Sequence, residues 1–244
     1  MAIEQFTLVL QSVKALTPNT KHFSFIREDG KGLQYLPGQF ITFSFDSADA
    51  KPKRRSYSIA SIPGQTDALD MAIAYVEGGV ASEFLFKMEP GQKLPAMGPA
   101  GRLILQEEPI SRCVLVATGT GVAPYRCMLP QLAEKLKDPN YSVDLLLGVR
   151  FKEDCLYAQD FIEFAKQHAN FRFHAYYSRE ESQLESFEHK GYVQHAFHGL
   201  NLKPGADVIY LCGNPNMIDE AFQHLVAAGF ATKDIRREKY ISSN

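Results

Sequence analysis

Apolar and polar positions change their rhythm part-way along the chain. Through the first hundred residues the apolar side chains come in short runs of strand length: Phe6-Thr7-Leu8-Val9-Leu10, His22 to Ile26, Phe40 to Phe45, Ser56 to Ala60 and Leu69 to Val76. Turn clusters such as Glu28-Asp29-Gly30-Lys31-Gly32 and Pro63-Gly64 separate them. Many short, evenly spaced strands predict a small antiparallel barrel or sandwich. One helix is expected within it, from about Ser82 to Met88, and Leu94 to Met97 and Arg102 to Leu105 would close the sheet.

After Gln106-Glu107-Glu108-Pro109 the pattern is different. Cys113-Val114-Leu115-Val116-Ala117 is a continuous apolar run, as a parallel strand covered on both faces requires. A glycine-rich turn follows, then a helical stretch through Leu129, Leu132 and Leu136. Further strands are expected at Val143 to Leu147, Phe171 to Tyr177 and Val208 to Cys212, with helices at Asp160 to His168 and Ile218 to Ala228. That alternation predicts a doubly wound parallel α/β nucleotide-binding domain. The fold class is therefore β followed by α/β, with an antiparallel domain over 1–108 and an α/β domain over 109–244.

Composition narrows the function. The 244 residues are 45% hydrophobic and 22% charged, the balance of a soluble globular protein, and the net charge of -2 gives no reason to expect nucleic acid. No apolar run approaches a membrane span, and no basic-then-apolar leader opens the sequence, so a cytoplasmic location is the expectation. Cys113, Cys127, Cys155 and Cys212 are widely spread and lack the spacing of a zinc or iron–sulfur centre. No metal is expected.

Two stretches carry candidate chemistry. Arg54-Arg55-Ser56-Tyr57-Ser58, on a strand, puts Arg55 and Tyr57 on one face, offering a cation for a phosphate, a flat ring for stacking and a small hydroxyl for a ring nitrogen. Thr118-Gly119-Thr120-Gly121-Val122-Ala123-Pro124 is G-x-G-x-x-P at a strand-to-helix turn, where glycine lets backbone approach a pyrophosphate and the helix start supplies N–H groups. Each alone also suits an ordinary strand or a tight turn.

Together with Gly78-Gly79-Val80-Ala81-Ser82, Gly98-Pro99-Ala100-Gly101, Gly148-Val149-Arg150 and Tyr210-Leu211-Cys212-Gly213-Asn214-Pro215, these stretches come in the order seen in the ferredoxin–NADP reductase family, which the chain resembles from about Phe6 to Tyr240. The resemblance implies a flavin-binding barrel and a nicotinamide-dinucleotide domain. Arg55 would pair with a flavin phosphate, Tyr57 would lie against the isoalloxazine ring and Ser58 would hydrogen-bond flavin N5. Ala72, Ile73, Ala74 and Tyr75 resemble the strand whose backbone meets the FAD diphosphate and adenosine. Val80, Ala81 and Ser82 would take the pyrophosphate, which favours FAD over FMN; Ser82 also suits a plain N-cap.

For the second cofactor, Thr118, Thr120, Gly121, Gly213, Asn214 and Pro215 would border the dinucleotide. Ser178, Arg179 and Lys190 resemble the residues that hold the NADP(H) 2′-phosphate, with Tyr192 stacked on adenine, Gln194 beside it and Arg150 reaching the same end. Among Asp160, Glu180, Glu181, Glu185 and Glu188 these cations also suit a solvated surface. Cys212, Glu238 and Tyr240 mark the reactive end: Cys212 beside the nicotinamide or simply buried, and Tyr240 over the flavin, with Ile241 to Asn244 running on beyond the family's usual end.

The implied activity is passage of hydride from NADPH to flavin N5 and then of single electrons to a separate ferredoxin or flavodoxin, reversible in principle. Lys51, Lys53 and Arg54 with Lys93 would steer an acidic partner of what is expected to be a monomer. The alternatives are a reductase component of an oxygenase system or free-flavin reductase, and a non-catalytic electron-relay subunit of a larger complex.

Overall fold

Alternate burial along each strand builds the first sheet. In the computed structural model, which describes residues 3–45, 52–107 and 110–240, the strands β1 (Glu4–Thr17), β2 (Thr20–Arg27), β3 (Phe40–Phe45), β4 (Lys53–Ser58), β5 (Leu69–Ala74) and β6 (Lys93–Ala100) pair antiparallel in the order β4-β3-β6-β1-β2-β5. Phe23 and Phe25 of β2, and Ile41 and Phe43 of β3, are fully buried at every second position. They meet Leu8, Leu10, Met71, Ile73 and Leu85 in one core. Just past β4, the Ala60 N–H donates to the Asp70 carbonyl of β5 at 2.7 Å. The two outer strands thus approach one another, and the sheet curls around its core as a barrel.

The helix of this unit, α1 (Val80–Phe86), begins about two residues before the expected Ser82. Arg102 to Leu105 forms no strand. Leu103 is buried, and its carbonyl packs over Gly38, where φ is +100° and an added Cβ would stand 2.9 Å from the Leu103 carbonyl carbon. Close packing on a glycine there replaces ladder pairing.

The second sheet is parallel throughout: β7 (Arg112–Thr118), β8 (Ser142–Val149), β9 (Phe171–Tyr177), β10 (Glu188–Lys190), β11 (Asp207–Gly213) and β12 (Ile235–Lys239), in the order β10-β9-β8-β7-β11-β12. Helices α2 (Ala123–Cys127), α3 (Leu129–Lys135), α4 (Ala158–Gln167) and α5 (Pro215–Ala227) fall between strands in the sequence. The runs Cys113 to Ala117 and Val208 to Cys212 are buried at every residue, which is why they read as unbroken apolar stretches. The edge strands β10 and β12 were not anticipated. β10 has three residues, and β12, Ile-Arg-Arg-Glu-Lys, buries only Ile235. Short or charged edge strands carry no hydrophobic signature.

Two compact units result. The first takes the chain to Leu105 together with Ala123–Met128; the second holds Gln106–Val122 and continues from Leu129. In the second, β7 has β8 on one side and β11 on the other, so the winding reverses beside β7, and the carboxyl ends of β7 and β11 flank a crevice of the kind that takes ligands in open α/β sheets. No described helix is long and apolar enough to cross a membrane.

Candidate functional site

In the first unit the candidate residues cluster where β4 and β5 meet. Tyr57 and Arg55 of β4 lie opposite Ile41 and Phe43 of β3. The Tyr57 ring packs on Phe43 with centroids 5.5 Å apart, and burial pushes its hydroxyl pKa up to about 12. Arg55 is partly exposed and donates from one end of its guanidinium to the Arg54 carbonyl at 2.8 Å. On the other face the Thr42 and Ser56 hydroxyls meet at 2.9 Å. Ser58, the last residue of β4, is buried.

Strand β5 presents backbone. Asp70 turns its N–H and C=O toward the end of β4, where they meet Ser61 and Ala60. By the two-residue repeat, Ala72 and Ala74 turn theirs the same way, away from β2, while Ile73 faces β2 and the Tyr75 N–H bonds the Asn19 carbonyl at 2.8 Å. Tyr75 is 42% exposed, with its ring 5.2 Å from that of Phe86.

The Gly78-Gly79 turn leads into α1, and its geometry corrects the reading of Ser82. The N-cap is Gly79, without a side-chain cap. Ser82 sits inside the first turn, where its hydroxyl accepts the Val76 N–H at 3.1 Å and lies 2.9 Å from the Val76 carbonyl and 3.1 Å from that of Gly79. That hydroxyl closes the turn, leaving backbone N–H groups at Val80, Ala81 and Ser82 as the donors at the helix start, because the first helical bond runs from Glu83 N–H to Gly79 C=O. Of the basic residues considered for docking, Lys93 is ion-paired with Glu28 at 2.5 Å, Lys53 and Arg54 lie on β4, and Lys51 falls outside the described residues.

In the second unit the candidates converge on the carboxyl edge of the parallel sheet. Thr118 ends β7, and Gly119–Val122 forms one 3-10 turn that carries Thr120. A Cβ on Gly121 would lie 2.7 Å from the Cys212 carbonyl carbon and 2.8 Å from the Gly213 Cα; one on Gly213, whose φ is +120°, would lie 2.6 Å from the Thr118 carbonyl oxygen. The two turns interlock backbone against backbone, which only glycine permits. Asn214 uses its side chain to cap α5, accepting from the Asn216 and Met217 N–H groups at 2.8 and 3.4 Å ahead of Pro215. Its backbone is engaged as well: the Asn214 N–H donates to the Thr118 hydroxyl at 2.8 Å and its carbonyl accepts from the Ile218 N–H at 3.1 Å.

Beside this turn, β8 and β9 carry their pairing beyond the sheet: the Ser178 N–H donates to Val149 and the Arg179 N–H to Arg150, both at 3.0 Å. Arg150 is 3.6 Å from Asp154. Arg179 and Lys190 are exposed, and among the described residues neither side chain has an acidic partner. Tyr192 is 60% exposed with its ring edge-on to His195, and Gln194 donates to Glu220 at 2.8 Å. Three residues missed in the sequence organise this end. Lys152 pairs with Glu188 at 2.6 Å and donates to the Gln183 carbonyl, Glu188 accepts the Tyr177 hydroxyl at 2.9 Å, and Glu180 accepts loop N–H groups. Nothing in their spacing marks them, because the fold decides which partners meet: Lys152 reaches Glu188 and Gln183, and Glu188 of β10 meets Tyr177 of β9.

The reactive-end trio is brought together. Cys212 stands opposite Glu238 in the β11–β12 ladder, and the Tyr240 N–H donates to the Gly213 carbonyl at 2.8 Å. Cys212 is fully buried. Burial first, then the neighbouring Glu238 charge, pushes its thiol pKa well above the ordinary value, against an opposing hydrogen bond with Tyr240. Ile241 to Asn244 lie outside the described residues.

Known proteins share both units. Residues 7–104 match the oxidoreductase FAD-binding domain and residues 115–223 the oxidoreductase NAD-binding domain. Ferredoxin–NADP reductase B of Sorangium cellulosum is 32% identical over 88% of this chain and 88% of its own length. The electron transfer component of toluate 1,2-dioxygenase from Pseudomonas putida is 28% identical over 98% of this chain and 68% of its own length. A ferredoxin NADP+ reductase from Neisseria gonorrhoeae, solved with FAD and NADP, shares the fold with a TM-score of 0.83 at 22% identity, covering 97% of this chain and 99% of its own. With its FAD-binding and NAD(P)-binding oxidoreductase domains, the chain belongs to the ferredoxin–NADP reductase family.

Proposed function

We propose that the chain is an FAD-dependent reductase that oxidises NADPH and delivers single electrons to a separate acceptor protein, a ferredoxin or flavodoxin. The observation that carries the choice of NADPH is the pair of exposed cations, Arg179 and Lys190, whose side chains have no acidic partner among the described residues, with the exposed Tyr192 two residues beyond Lys190. A 2′-phosphate, with nearly two negative charges, is the group that such a site suits and that NADH lacks.

The first unit suits FAD. The outward backbone of Ala72 and Ala74, the N–H groups at the start of α1 and the Arg55 guanidinium form a donor set for a dinucleotide with two phosphates. Bound FAD supplies the step from a two-electron hydride to single electrons. The chain's residues bind and orient: Arg55 neutralises a phosphate, Tyr57 lines the ring, and Ser58 offers its hydroxyl to N5. In the second unit Gly121 and Gly213 let the two turns interlock backbone against backbone, which shapes the crevice for the dinucleotide. Cys212 stays an uncharged thiol, an apolar wall that excludes water.

A second reading, a reductase serving an oxygenase, is favoured by the likeness to the toluate dioxygenase component. The test is one preparation. The purified protein should be yellow and release FAD on denaturation. Anaerobic titration should bleach it with NADPH at far lower concentration than with NADH. Release of FMN, or equal bleaching by both, refutes the respective half of the proposal. Turnover with a ferredoxin against turnover with an oxygenase component then separates the two acceptors.

A further inference from the structure

Glu180 follows Arg179 directly, and by charge alone it should repel the phosphate that Arg179 is proposed to hold. Its hydrogen bonds say otherwise. One carboxylate oxygen accepts the Lys152 N–H at 3.0 Å, from the loop that follows β8. The other accepts the N–H groups of Glu181 at 3.2 Å and Ser182 at 3.0 Å, in its own loop after β9. Both oxygens are therefore occupied by backbone, and the group bridges two loops that each carry a candidate cation, Arg150 and Arg179.

The bridge extends a ladder. The Arg179 N–H already donates to the Arg150 carbonyl at 3.0 Å, and Glu180 adds the next tie two residues further on, at Lys152. A second carboxylate, Glu188, closes the far side of the same loop by accepting the Glu185 N–H at 2.8 Å and pairing with Lys152. The Lys152 ammonium is thereby directed to Glu188 and the Gln183 carbonyl rather than to Glu180. Hydrogen bonds from Lys152 and Ser182 hold the Glu180 pKa down at about 2, so the bridge stays ionised across the physiological range.

We propose that Glu180 is a positioning residue for cofactor specificity: it locks the loops after β8 and β9 together and so holds Arg150 and Arg179 side by side for the 2′-phosphate. The proposal rests on the NADPH reading above. An anionic side chain beside an anion site is tolerated because its lone pairs are directed into backbone N–H groups, and removing it takes away the tie between Lys152 and the loop after β9. Fixed donors bind an anion better than mobile ones, since ordering them on binding costs affinity.

The test uses the flavin-loaded protein and two probes that lack nicotinamide, adenosine 2′,5′-bisphosphate and 5′-AMP, measured by isothermal titration. Loss of two or three backbone hydrogen bonds in Glu180→Ala should weaken the bisphosphate about fivefold to thirtyfold. Binding of 5′-AMP should hold within about twofold. Glu180→Gln keeps the shape and one acceptor oxygen and should fall between wild type and alanine, which also covers the case of an alanine variant that folds poorly. In an Arg179→Ala background, Glu180→Ala should cost clearly less than in wild type, because one of the two side chains it positions is gone.

Tighter bisphosphate binding in either Glu180 variant overturns the proposal, since the carboxylate then acts as a repelling charge. Unchanged discrimination between the probes in both variants overturns it too, with the phosphate pocket left standing. A wild type that does not discriminate between the probes removes the pocket itself, and the positioning role with it.

Discussion

The Asn214 N–H donates to the Thr118 hydroxyl at 2.8 Å, joining the end of β11 to the end of β7 where the winding of the sheet reverses. The same Asn214 caps α5 with its side chain, so one residue fixes both the helix start and the turn that faces it. Thr118 and Gly121 thus hold the dinucleotide crevice in shape before any ligand arrives.

Replacing Thr118 with Val keeps the volume and removes the acceptor. It should cost about 0.5–1.5 kcal/mol, the net worth of a hydrogen bond at a site that water reaches. Urea unfolding measures it. Gly121→Ala places a methyl against the Cys212–Gly213 backbone, which cannot move aside as a flexible side chain would, and should cost about 1–3 kcal/mol by overpacking. If both variants unfold with the wild-type midpoint, the two turns are not mechanically coupled.

Buried thiols set the alkaline limit of stability. Burial pushes Cys113 and Cys127 up to about 12, from an ordinary value near 9. Both are fully buried. Above pH 9 the unfolded chain loses these protons while the folded chain keeps them, so the unfolded state binds fewer protons and stability falls as pH rises toward 12. The loss approaches about 1.4 kcal/mol per pH unit for each thiol. Unfolding under reducing conditions at pH 7, 9 and 10.5 gives the slope, and Cys113→Ala should flatten it; an unaltered slope assigns it to other groups, such as Tyr57.

Much of this architecture was legible because it is written in burial. Continuous apolar runs marked the central strands β7 and β11, and short runs between turn clusters marked the barrel. Where burial is absent the signal fails: β12 buries one residue of five, and β10 is too short to show a period. Arg102 to Leu105 misled for the converse reason, since Leu103 is buried by packing over Gly38 and not by pairing. At the candidate site, the cations and aromatic rings stood out as candidates because their chemistry is carried by residue type. The roles of Ser82 and Glu180 were not, because each depends on which backbone group lies opposite in the folded chain.

Ser58, proposed to meet flavin N5, offers a test that separates holding the flavin from helping its reduction. A hydroxyl bonded to N5 interacts with an atom whose bonding changes during hydride transfer, so Ser58→Ala should slow flavin reduction more than it weakens FAD binding. Stopped-flow reduction by NADPH and equilibrium dialysis of FAD give the two quantities. Equal losses in both would make Ser58 only part of the binding surface.

Arg179 gives the sharpest test of cofactor choice. Its side chain is exposed and has no acidic partner among the described residues, so removing it breaks no ion pair and should leave the fold intact. A hydrogen bond to a charged group is worth about 1.5–3 kcal/mol. Losing it should reduce kcat/KM for NADPH roughly tenfold to a hundredfold. The loss should fall in KM and not kcat, because the 2′-phosphate is remote from the reacting carbon and is bound alike in ground and transition states. NADH offers these side chains nothing, so its turnover should barely change in Arg179→Ala, and Lys190→Ala should repeat the pattern with a smaller loss, as a single ammonium lacks the guanidinium's paired donors. A wild type that already prefers NADH, or equal damage to both cofactors, would place the recognition of the phosphate somewhere other than the loops after β9 and β10.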